Sequence, residues 1–166
     1  SFRRAANFEP AEYPDYQKIA AIERHKGSGK MSVAICHGYN IHQGAVASSV
    51  SHDSHNIIVI GDSDLDMSIA ANELLRCQGG YTVVSQGKVF DTLPLPIMGL
   101  MTDCGFQEVS KHLVKMKNKL YEMGVAKGID PFITLSFLAL PVIPEIRITP
   151  RGLCLVKETK PRLLKN

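Results

Sequence analysis

The chain has 166 residues, 45% hydrophobic and 21% charged, with 13 Gly, 9 Pro and a formal net charge of +3. That length supplies one ordinary core, and the balance is globular rather than disordered. The charge is too small to argue for nucleic acid, and 7% aromatics without a Trp leave few platforms for stacked bases. The longest apolar run, near 132–143, is interrupted by Thr134, Ser136 and Pro141, well short of the roughly 20 residues a bilayer-spanning helix needs. Ser1-Phe2-Arg3-Arg4 leads into Asn7, Glu9 and Glu12 rather than an apolar stretch, so no signal peptide is expected. The absence of an initial Met suits a processed chain or a piece of a longer one. Cys36, Cys77, Cys104 and Cys154 form no C-x-x-C pair and read as reduced thiols, which places the chain in the cytoplasm.

Residues 1–15, with Pro10 and Pro14 among polar neighbours, read as an arm or linker. Ile19 to Ile22 is a short strand, Gly27-Ser28-Gly29 a turn, and Met31 to Cys36 an alternating strand. Ala45 to Val50 is small and extended. Ile57 to Ile60, four β-branched residues in a row, suits a strand buried on both faces. Ser63 and Asp66 have the shape of a capping box, followed by Met67, Ala70, Ala71, Leu74 and Leu75 on one helix face. Tyr81 to Ser85 and Lys88 to Phe90, joined by Gln86-Gly87, make a hairpin. A second helix runs from about Phe106 to Met123, with Val109, Leu113, Met116 and Leu120 inward. Lys111, Lys115, Lys117 and Lys119 lie on its solvated face, and Gly124 stops it. Phe132 to Leu140 reads as strand, Glu145 to Ile148 and Leu153 to Val156 as short strands, and 157–166 as a loose basic tail. The expected fold is α+β, a single domain over 16–156 in which a mixed β-sheet is layered with about two long helices.

The densest polar cluster is Ser51-His52-Asp53-Ser54-His55-Asn56, wedged between two apolar strands. On an extended chain Asp53 and His55 would share one face, and the rings of His52 and His55 would point oppositely, which disfavours a metal site. Three readings stand: a metal site, strand-end capping with hydrogen-bonded loops, or a surface that meets a substrate or a neighbouring domain. Breaking an apolar sheet with six polar residues costs desolvation unless each is partnered, so this block is the place to look. The secondary candidates are Glu23, Arg24 and His25. The following Gly27-Ser28-Gly29-Lys30 is too short for a phosphate loop and precedes a strand, and an Arg–carboxylate pair at the strand end is the simpler expectation. No H-x-E with P-C-x-x-C, no G-x-S-x-G, no G-x-G-x-x-G and no H-x-H occurs, and 166 residues cannot close an eight-fold βα barrel.

Ile22-Glu23-Arg24-His25 and the block from Gly44 to Val59 resemble the C-terminal domain of bacterial adenine deaminase, of the amidohydrolase superfamily. So do Gln78-Gly79-Gly80, Leu93 to Ile97, Gly99-Leu100-Met101 and Asp130-Pro131-Phe132 through Glu145, and the resemblance spans about Lys18 to Val156. It departs at Cys36-His37 and His42, read as loop variation. The resemblance implies a metal-dependent hydrolase that converts adenine and water to hypoxanthine and ammonia in purine salvage. Its manganese or iron is implied to lie in an upstream barrel, so no metal ligand or catalytic residue transfers to this chain, which alone is expected to be inactive. The barrel of the same protein and adenine are the implied partners, in a homo-oligomer, with no nucleic acid and no membrane. The domain would complete or lid the pocket, with His52, Asp53, His55 and Asn56 facing substrate. The alternative is a non-catalytic structural or oligomerisation module.

Overall fold

The computed structural model describes residues 13–157 and 160–164. Six strands form one sheet in the order β2-β1-β4-β3-β5-β6: β1 Tyr16–Ile22, β2 Met31–His37, β3 Gly44–Ser48, β4 Ile57–Gly61, β5 Gly80–Ser85 and β6 Lys88–Pro94. Each ladder is antiparallel, so the α+β class holds while the sheet is not mixed. Strand β4 is central and fully buried, as its run of β-branched residues dictates. Its side chains alternate between two cores. Ile57 and Val59 join Ala20, Ala45, Ala47 and Val84 beneath α1 (Asp64–Arg76), whose Met67, Ala70 and Leu74 face inward. The small alanines on the strands let that helix approach closely. Leu75 of the expected inner face is exposed, and Ala71 is only partly covered. Ser63 caps the helix as expected, its hydroxyl accepting from the Asp66 N–H at 3.1 Å.

Ile58 and Ile60 face the opposite core with Ile19, Val46, Val83 and Leu93, covered by α2 (Phe106–Glu122) through Met116 and Leu120. The lysine face of α2 is less free than its pattern suggested. The Nζ atoms of Lys115 and Lys119 lie 5.1 and 5.4 Å from the Phe90 ring centroid, and Lys117 pairs with Asp130.

The segment expected as a strand from Phe132 is a helix, α3 (Pro131–Leu138). Its start carries the physical reason: Asp130 accepts from the N–H groups of Phe132 and Ile133 at 3.0 Å, and Pro131 occupies the first helical position. A second sheet, β7 (Ile146–Thr149), β8 (Gly152–Lys157) and β9 (Lys160–Leu163), packs beside β2. Thus part of the tail expected to be loose pairs with β8, while the strand expected over Met31 to Cys36 runs one residue further, so that the Cys36-His37 departure read as loop variation lies at the end of β2. Most of the N-terminal arm lies outside the described residues. Among those described, no helix is long and apolar enough to cross a membrane, and the four cysteines are free.

Candidate functional site

Antiparallel pairing brings the end of β1, the end of β3, the start of β4, the start of β5 and the end of β6 to one end of the sheet. The two sequence candidates, 23–25 and 52–56, therefore meet. Residues 52–54 form a turn, closed by the His55 N–H donating to the Ser51 carbonyl at 2.7 Å. His55 adopts a left-handed conformation with φ of 50°, which a non-glycine residue takes at some cost and which re-aims its side chain. The extended geometry expected here is therefore absent. Rather than pointing oppositely, the His52 and His55 rings meet edge to face with centroids 5.7 Å apart. His52 also lies 5.5 Å from the ring of Phe137 on α3.

Arg24 frames the turn from below. Its Nε donates to the His55 carbonyl at 2.6 Å, its Nη2 to the Met98 carbonyl at 2.7 Å, and its backbone N–H to Asn56 Oδ1 at 3.3 Å. The expected Arg–carboxylate pair is not made: among the described residues Arg24 binds carbonyls, and burial lowers its pKa. Asn56 is buried and donates to the Ser54 hydroxyl at 3.1 Å, while the His25 ring meets the Ser54 carbonyl at 2.6 Å. Asp53 is exposed at the tip.

Glu23 turns away from this group. Its carboxylate accepts from the N–H groups of His25, Lys26 and Ser28 and from the Ser28 hydroxyl. The hydroxyl and these amides hold its pKa at about 2. It is the staple of the β1–β2 turn, which also accounts for the glycine-rich stretch: Gly27 and Gly29 take φ of 58° and 67°.

Two polar atoms of the site have no partner among the described residues: His55 Nδ1 and the Ser51 hydroxyl, both buried. Burial, then the neighbouring His52 and Arg24, lowers the His55 pKa, and Asp53 opposes them only in part. The shift favours the neutral imidazole, in which one ring nitrogen accepts a hydrogen bond and the other donates one. No three His, Cys, Asp or Glu side chains among the described residues are grouped so as to hold a metal ion. The donors among the described residues thus do not fit the divalent metal that the resemblance implies.

Sequence reasoning missed two contributors. The 97–101 loop, closed by hydrogen bonds between Ile97 and Met101, supplies the Met98 carbonyl. The Ser49 hydroxyl ties it to the sheet by donating to the Gly99 carbonyl at 2.6 Å. Phe137 was hidden by reading α3 as a strand; the Asp130-Pro131 pair was the signal available for it.

The profile of the adenine deaminase C-terminal domain family matches residues 3–160. The chain belongs to that family. It is 56% identical over 138 residues to an adenine deaminase of Desulfitobacterium hafniense strain Y51, covering 83% of this chain and 24% of the relative. It is 47% identical over 146 residues to adenine deaminase 2 of Carboxydothermus hydrogenoformans, covering 88% and 26%. With adenine deaminase of Bacillus subtilis strain 168 it shares 44% identity over 153 residues, covering 92% and 26%. The chain spans about a quarter of the length of these relatives.

Proposed function

We propose that this chain is the C-terminal domain of an adenine deaminase and that its polar sheet end faces the site where adenine is hydrolysed to hypoxanthine and ammonia. Membership of the family and the length of the relatives support a larger parent enzyme. The observation that carries the role of the domain is the His52–His55 pair, gathered by a turn at one end of the sheet, with His55 Nδ1 unpartnered among the described residues. A group that only caps a strand is satisfied by the strand it caps. The His52 and His55 rings are only half-buried at this end of the sheet, and a purine ring presents both N–H donors and ring-nitrogen acceptors to such imidazoles. His52 and His55 would contact or orient the ring, with Asn56 and Arg24 fixing the turn beneath them. The divalent metal of the reaction would be held outside this chain, and the isolated domain would be inactive.

The test is protection of these rings from diethyl pyrocarbonate in the full-length enzyme, read residue by residue by mass spectrometry. Saturating hypoxanthine is expected to slow modification of His52 and His55 and to leave His37, exposed at the far end of β2, unchanged. Equal rates with and without hypoxanthine at all three would contradict the proposal.

A further inference from the structure

Arg24 sits at the crossing of three segments that are far apart in sequence. Its guanidinium joins the carbonyl of His55 on the 51–56 turn to the carbonyl of Met98 on the 97–101 loop, and its own backbone N–H holds Asn56. The loop has given way to make room. Gly99 has φ of 74°, and a Cβ there would lie 2.6 Å from Arg24 Nη2, a collision with the guanidinium. Met98 beside it takes φ of 60° and leaves its side chain exposed. Two left-handed residues in a row, one of them not glycine, carry a conformational cost that the packing around the guanidinium sustains.

A planar fork suits this task and an ammonium does not. Two N–H groups diverge in fixed geometry to two carbonyls, so the distance between turn and loop is set by one rigid group. Neither carbonyl neutralises the guanidinium, and an ion pair alone would not require a fork. The arrangement fits a strut.

We propose that Arg24 is the positioning residue of this site: its fork fixes the left-handed turn at His55 against the 97–101 loop and so aims the His52–His55 pair. The proposal rests on the reading that this pair faces the adenine site. The role is exerted through the backbone carbonyl of His55, which Arg24 Nε holds at 2.6 Å.

The experiment uses the full-length enzyme and four variants, Arg24→Ala, Arg24→Lys, Gly99→Ala and His55→Ala, with kcat and KM for adenine measured per folded molecule alongside melting temperature. Arg24→Ala and Arg24→Lys are each expected to lose at least tenfold in kcat with KM changed less than threefold. Methylguanidinium should restore Arg24→Ala at least threefold and leave His55→Ala unchanged, a rescue that general stabilisation of the fold would not show. Gly99→Ala, which displaces the guanidinium without removing it, should fall in the same direction and serves if Arg24→Ala does not fold. Full activity in Arg24→Lys would overturn the fork argument, because charge alone would then suffice. Normal kcat in Arg24→Ala or Gly99→Ala, with His55→Ala impaired, would overturn the positioning role and leave the site reading standing. Normal kinetics in all four would overturn the site reading itself.

Discussion

Replacing Ile58 by Ala examines the centre of the fold. Ile58 has no exposed surface and lies on β4, with Ala21 of β1 on one side and Ser48 of β3 on the other. The substitution deletes three buried carbons, at about 0.8 kcal/mol each, or roughly 2.4 kcal/mol of transfer free energy. Both cross-strand neighbours are too small to fill the space, and the layer above is built from the buried side chains of α2 and α3. The residual cavity should bring the total to about 3–4 kcal/mol, within the roughly 2–5 kcal/mol span of such truncations. Urea melts of this chain should show one cooperative transition shifted by that amount. Val33→Ala, at an exposed position on β2, should change stability by less than about 0.5 kcal/mol. A loss under about 1 kcal/mol for Ile58→Ala would refute the placement of β4 between two cores.

Asp130→Ala removes the α3 cap and the partner of Lys117; urea melts should show a loss of about 1–2 kcal/mol. The Glu23 carboxyl is held at about 2 in the fold, below its ordinary value of 4.5. A depressed carboxyl stabilises above its unfolded pKa and loses that contribution as pH falls through its folded one. The advantage of wild type over Glu23→Gln in melting temperature should therefore be full at pH 6 and vanish between pH 4.5 and 2. Purified, tag-free chain should carry no stoichiometric divalent metal by elemental analysis and release no ammonia from adenine; metal-dependent turnover proportional to chain concentration would contradict this.

Alternation exposed β2 and a β-branched run exposed β4, because in a half-buried or central strand the pattern is fixed by what the two faces touch; β1 and β3 showed as short apolar or small extended stretches, and Gln86-Gly87 marked the β5–β6 hairpin. Ser63 and Asp66 exposed α1 for a similarly local reason: the cap is made within four residues. Helix α3 escaped because Phe132, Ile133, Leu135, Phe137 and Leu138 are apolar on every side, so a short helix and a buried strand share one pattern. The candidate site was half legible. Its residues stood out as polar groups among apolar strands, but the left-handed turn at His55 and the Arg24–Met98 bond depend on tertiary contacts across 31 and 74 positions. No local spacing encodes those, and so the two rings were expected on opposite faces.

The most direct measurement of the central claim is steady-state kinetics of His55→Ala in the full-length enzyme, with melting temperature recorded on the same preparation. If the polar sheet end faces adenine, kcat/KM falls at least tenfold, about 1.4 kcal/mol of transition-state stabilisation, while the melting temperature barely moves. Unchanged kcat/KM per folded molecule together with a clearly lowered melting temperature would contradict it and leave His55 as a structural residue of the turn.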